Sequence, residues 1–246
     1  MYHGHFAAGI LLKAIYGPSI PAWPVMMGSS LLDIIGGLDA LLGLTVITPS
    51  SARGPYMFST FTFIDWEHSA LMMLVWSSIF GWAVCHHVMG FCKEASMLGA
   101  ASSILHWLMD ILVVESTALT LYPYGNYHFG LGLYEKFPVL SWVLECILCA
   151  VLAGAAYRIN KMRSGADISK ACVFLGILSL LMGPWTSPLR LVAYIHETYG
   201  FGAYLRFVQT AGIWTAYIIP AAIFSKLLNE ADKVAQDGKM KGKRGD

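Results

Sequence analysis

The chain has 246 residues, 57% of them hydrophobic and only 13% charged, with a mean hydropathy of +0.59 and a formal net charge of +1. Soluble domains carry about 25% charged residues, so this composition excludes an ordinary soluble globule and fits a polytopic membrane protein. A net charge so near zero offers no basic surface for a nucleic acid.

The first apolar stretch, "HGHFAAGILLKAIYG", is short and is stopped by "PSIPAWP". It reads as a short or tilted span, a re-entrant helix or an interfacial one, with His3 and His5 at its front. No basic segment precedes "FAAGILL", so no secretory leader is expected. Runs of about 20 apolar residues then mark six spans: 22–47, 69–89, 97–121, 138–159, 171–194 and 202–228. The run 171–194 contains "PWTSPLR", which should break its helix, either as a kink filled by neighbours or as a cavity lining. Five cysteines (Cys85, Cys92, Cys146, Cys149 and Cys172) fall in or beside apolar runs and read as small core residues. The expected architecture is an all-α polytopic transmembrane bundle. A single domain over 1–228 holds six spans plus the short N-terminal helix, and a polar basic tail occupies 229–246.

Lys and Arg set the orientation. Arg158, Lys161, Arg163 and Lys170 cluster between two spans, and Lys226, Lys233, Lys239, Lys241, Lys243 and Arg244 fill the C-terminal end. Two spans separate these clusters, so they lie on one side, which the positive-inside rule makes cytoplasmic. The connections around 48–68 and 121–138 then lie outside. In the second of these, Tyr122, Tyr124, Asn126 and His128 read as an interfacial aromatic belt around a Pro-Tyr-Gly turn, or as a head-group gate.

Ionisable groups inside spans are rare and face a bundle interior or a wet cavity. Here Asp33 and Asp39 lie in "SSLLDIIGGLDALLG", His68 follows Asp65 and Glu67 in "DWEHSALMM", and His106 and Asp110 share one helix face at i, i+4. Each has a structural account. A lone intramembrane His is more often a hydrogen-bond donor between helices than a ligand, and Asp65 and Glu67 suit a helix N-terminus. Together they form the imidazole and carboxylate set that binds divalent metals. A cation would offset the cost of burying the carboxylates.

The order of these motifs resembles that of the bacterial inner-membrane group described as YdjM-like membrane-bound metal-dependent hydrolases. It is carried by "MYHGHFAAGILLKA", "MGSSLLDIIGGLD", "EHSALMML", "LHWLMDIL" and "LYPYGNYHFGLGL", covering roughly residues 1–137. The resemblance implies that His3 or His5, with Asp33, His68, His106 and Asp110, surrounds a divalent metal, Zn²⁺ first among them. With such a metal, an apolar wall would suit a lipid-like ester or phosphoester, and Asp65 or Glu67 would be placed to accept the proton. The chain departs from the family's Pro-Asp-x-Asp run, and of its His-Arg-Gly-x-Thr-His-Ser run "FIDWEHS" keeps only the final His-Ser. Either Asp65 or Glu67 substitutes as a ligand, or activity has been lost. Two other classes stay open. One is a non-catalytic subunit packed against other membrane subunits. The other is a haem or redox subunit using His68, His86, His87 or His106 as axial ligands, for which a Soret band would be the sign.

Overall fold

The computed structural model describes residues 1–52 and 58–242; Lys243 and Arg244 of the charge pattern above lie outside the described residues. Eleven α-helices are found among them: α1 (His3–Tyr16), α2 (Ala22–Gly28), α3 (Leu31–Leu42), α4 (Asp65–His68), α5 (Ala70–Val88, wound as a π-helix from Ile79), α6 (Lys93–Val113), α7 (Leu133–Lys136), α8 (Pro138–Arg163), α9 (Ser169–Leu181), α10 (Pro188–Tyr199) and α11 (Leu205–Gly242). Between α3 and α4 an antiparallel hairpin pairs β1 (Val46–Pro49) with β2 (Ser59–Phe63).

Helices α5, α6, α8 and the Leu205–Gly238 part of α11 are long and apolar enough to cross a membrane. The bent pair α2 and α3 passes the same test as a fifth span. Leu71, Leu74 and Ile79 on α5, and Val139, Leu144, Ile147 and Val151 on α8, are exposed. Apolar surface so extensive is what lipid covers. The chain is thus a helical membrane protein.

Two of the long apolar runs are not single helices. The run 22–47 bends by 53° between Gly28 and Leu31, and its helix stops at Leu42. Gly43, at φ +74, closes it in a left-handed cap, where Gly carries no Cβ penalty. The run 171–194 is broken at "PWTSP" as its prolines require: α9 ends at Leu181 and α10 restarts at Pro188 with Ser187 as its N-cap. At 1.5 Å per residue, α9 is about 20 Å long, short of a hydrocarbon core of about 30 Å.

The short first helix is neither interfacial nor peripheral. Its residues His3 to Ile10 are all buried, and it packs on α8, α2, α6 and α9. A helix apolar all round belongs in a core, and Gly4, Ala7, Ala8 and Gly9 let its neighbours come close. Its far end is tied to the ends of α11 and α8 that carry the basic clusters. Lys13 Nζ lies 2.5 Å from Asp232 Oδ2 and 2.8 Å from the Gly17 carbonyl, and Arg163 bonds the Ile15 carbonyl. Its N-terminus points into the bundle at the level of α4 and the C-terminal half of α6.

Candidate metal centre

The polar residues at that level come from four different helices, and two of them, Asp33 and His68, sit where a helix is broken. Between α2 and α3, Ser30 N–H bonds the Met27 carbonyl and Ile34 N–H bonds the Ser30 carbonyl. The Ser29 carbonyl is taken instead by a side chain, His106 Nδ1, at 2.8 Å. Asp33 follows in the first turn of α3, where a carboxylate is favoured. His68 is the last residue of α4; Ser69 is extended and caps α5 by accepting from Met72 N–H. The His68 carbonyl accepts from Trp107 Nε1 at 2.6 Å. His5 on α1, and His106 and Asp110 one turn apart on α6, come from unbroken helix.

His5, Asp33, His68, His106 and Asp110 converge. His106 Nε2 lies 3.4 Å from Asp33 Oδ2 and 3.2 Å from Asp110 Oδ2. His68 Nε2 lies 3.7 Å from Asp33 Oδ1 and 3.7 Å from Asp110 Oδ2, and His5 Nε2 lies 3.2 Å from Asp110 Oδ1. A tetrahedral shell with bonds of 2.0–2.2 Å spaces its donors by about 3.3–3.6 Å. Two overlapping sets, His5–Asp33–His106 and His68–His106–Asp110, have donor atoms close enough together to hold one ion.

The tautomer of His106 sharpens this geometry. A backbone carbonyl only accepts, so His106 Nδ1 carries the proton, and in the neutral ring Nε2 is then a bare lone pair. That lone pair faces two carboxylates, and neither His106 Nε2 nor Asp33 Oδ2 has a hydrogen-bond partner. The His5 ring stacks on His106 with centroids 3.6 Å apart and planes 10° from parallel, an arrangement that two charged imidazoliums would oppose. A cation between the lone pairs and the carboxylates satisfies every one of these atoms. A ring nitrogen fixed to a backbone carbonyl is also how metal-bound histidines are oriented.

The other expected residues lie elsewhere. His3 is turned away from the cluster, with Nδ1 3.8 Å from Glu145 Oε1 and Nε2 3.8 Å from Cys146 Sγ. Residues two apart on a helix are about 200° apart around it, so His3 and His5 cannot both join one site. Asp65 faces the connection between α6 and α7, where Oδ2 accepts from Tyr124 N–H at 2.8 Å. Glu67 is buried beside the cluster, with Oε1 3.9 Å from His68 Nδ1. Asp39 neighbours Glu67. His86 and His87 stand at the opposite end of α5, exposed. Tyr122 and Tyr124 are also exposed, and Tyr124 stacks on Phe63.

Three further groups contribute, of which the sequence marked only Glu145, as an embedded charge with no partner assigned. Tyr217 of α11 lies beside Asp33 on the same cavity. Glu145 of α8 accepts from Gly4 N–H at 2.8 Å and from Tyr134 Oη at 3.1 Å, so it fixes the start of α1 and with it His5. The Met1 amine pairs with Asp110. Tyr217 and Glu145 lie in the helices whose sequence looked generic, and a Tyr in an apolar run is easily taken for an interfacial anchor.

A cavity of about 140 Å³ leads from the cluster. Asp33, Glu67, His68 and Asp110 form its polar end, and β1, β2, α10 and α11 contribute much of the remaining wall. Comparison with protein-family models, with curated proteins and with solved structures finds no match to this chain.

Proposed function

We propose that the protein is a membrane-embedded, metal-dependent hydrolase of the YdjM-like kind, acting on a lipid-like substrate that enters from the bilayer. The observation that carries the reading is His106: its Nδ1 is committed to the Ser29 carbonyl at 2.8 Å while its Nε2 faces Asp33 and Asp110. His5 and His68 complete a donor set of three imidazoles and two carboxylates, which suits Zn²⁺.

A divalent cation there would supply Lewis acidity and bring the pKa of a water it binds to about 7. The chain's own groups do the rest. Glu67, at the polar end of the cavity and 3.9 Å from His68, takes the place of the proton acceptor. Asp65 is committed to the Tyr124 amide and anchors the outer loop. Tyr217 lies beside Asp33, Glu145 holds α1 in position, and the apolar wall excludes bulk water.

The same reading gives the topology: six crossings, with α9 as a short one and α10 lying at the outer interface. The C-terminus is cytoplasmic. The link between Lys13 and Asp232 supports it, since it gathers α1 and α11 at the end of the bundle that carries the basic clusters.

The test is metal content by mass spectrometry after purification in detergent, with hydrolysis of dispersed p-nitrophenyl esters and phosphoesters measured before and after chelation. About one metal per chain and chelator-sensitive turnover are expected. A protein that holds no stoichiometric metal after exposure to Zn²⁺ is not a hydrolase of this kind.

A finer expectation concerns Trp107. Its indole N–H holds the carbonyl of His68, the ligand at a helix break. Trp107→Phe keeps the bulk and loses that bond. Outer contacts of this type are worth about 10–100-fold in metal affinity, so a roughly tenfold weakening is expected in a competition titration against a chromogenic chelator. Unchanged affinity would mean that packing alone fixes His68.

A further inference from the structure

We infer that the substrate is an uncharged carboxylic ester or amide with a linear acyl chain, and not a phosphate ester. This rests on the hydrolase reading above and names the class of molecule its cavity takes. Two independent features of the cavity point there.

The first is charge. Three carboxylates, Asp33, Glu67 and Asp110, border the polar end, and among the described residues that line the cavity there is no Lys or Arg. The one cationic group there is the Met1 amine, already paired with Asp110. Among the described residues, the basic side chains on the surrounding elements are occupied or turned outward: the Arg206 guanidinium lies against Gly43, Lys136 Nζ bonds the Leu131 carbonyl, and Arg190 is exposed. Phosphoryl sites rely on Arg, Lys or several metals to clamp the oxygens that carry the charge. A phosphomonoester would bring two negative charges into a pocket already rich in carboxylates. A carboxylic ester brings none, and its transition state develops a single one on the carbonyl oxygen.

The second is the wall. Beyond the polar end it is built from Ile47, Phe61, Val208, Ile213 and Gly212. Gly212 contributes no side chain to this wall. Such a slot fits methylene groups, each worth about fourfold in binding when buried.

In the reaction, water's oxygen forms a bond to the acyl carbon, and the bond from that carbon to the alkoxyl oxygen or amide nitrogen breaks. The proton that water gives to Glu67 passes to the leaving group, so acid and alcohol or amine result and no other reactant is needed.

The experiment uses the full chain in detergent, loaded with Zn²⁺, with metal content measured on every sample. Binding of octanohydroxamic acid and octyl phosphate is compared by calorimetry, with acetohydroxamic acid and ethyl phosphate as short-chain references. Turnover of p-nitrophenyl octanoate is compared with that of p-nitrophenyl phosphate and bis(p-nitrophenyl) phosphate. The hydroxamate should gain affinity with chain length by about fourfold per methylene, and octyl phosphate should bind at least about 100-fold more weakly than octanohydroxamic acid. Val208→Trp should cut octanohydroxamate binding about tenfold, with metal content unchanged. Metal-loaded protein that prefers octyl phosphate, or is blind to chain length, overturns this inference and leaves the hydrolase reading standing. Protein without metal overturns both.

Discussion

Asp110→Ala is expected to abolish metal retention and hydrolysis together while the helical content of the protein stays unchanged. Asp110 touches three of the converging imidazoles, against two for Asp33. Its oxygens lie 3.2 Å from His5 Nε2, 3.2 Å from His106 Nε2 and 3.7 Å from His68 Nε2. Removing it deletes one of two full negative charges from a buried cluster and unlinks α6 from α1 and α4. Outer contacts to a metal site cost up to about 100-fold when lost; a ligand shared by three imidazoles should cost more than that. A competition titration reads the affinity, and a thermal melt with and without Zn²⁺ reads the linkage, because a metal that binds only the folded state raises its Tm. Asp110→Asn keeps the shape and isolates the charge; it should resemble Asp110→Ala. Asp65→Ala is the contrast, since that carboxylate holds the Tyr124 amide, and its metal content should match the wild type. An Asp110→Asn protein with full metal occupancy would show that the carboxylates are there to pair with the Met1 amine and the imidazoles, and that the cluster is a hydrogen-bonded core.

How much of this was legible beforehand depends on whether a contact is local. The His106 and Asp110 pairing could be read directly, because an i, i+4 spacing puts two side chains on one face of any α-helix. Asp33 and His68 stood out as polar groups in apolar runs, and the rupture of 171–194 followed from Pro184 and Pro188. The choice of His5 over His3 could not be read. It depends on the rotation of α1, which Glu145 sets from a helix 141 residues away in sequence. The bend between α2 and α3 was hidden in a continuous apolar run, since "MGSS" has no proline and its small residues read equally well as a helix interface. The part of the site that decides the tautomer of His106 is a backbone carbonyl, and residue identity does not announce which carbonyl a break will free. Tyr217 carried no signal distinguishing it from a membrane-surface anchor. The hairpin was missed for a related reason: Ser59–Phe63 is short, and its anchors, Glu115 on the Phe61 amide at 3.1 Å and Gln209 on the Ile47 carbonyl, come from distant segments.

Those non-local contacts make Gly28 the most sensitive backbone position next to the site. A Cβ built there would stand 2.2 Å from the Gly99 carbonyl oxygen and 3.0 Å from its carbon. Both are main-chain atoms of α6, so no rotamer change relieves the clash; α2 and α6 must separate. Gly28→Ala is therefore expected to cost about 3 kcal/mol, the upper part of the range for overpacking, and about 6–12 °C in Tm for a chain of this size. The damage should also reach the cluster, because Ser29 is the next residue and its carbonyl orients His106. A weakening of Zn²⁺ binding by about tenfold or more is expected in the folded fraction. Gly9→Ala is the matched control. Its Cβ would meet Met26 Sδ at 3.3 Å and Ser29 Oγ at 3.3 Å, both side-chain atoms able to move, so it should cost less than about 1 kcal/mol. If both variants melt together and bind metal alike, the close approach of α2 and α6 is not what holds the Ser29 carbonyl against His106, and the orientation of that imidazole has to come from its stacking on His5.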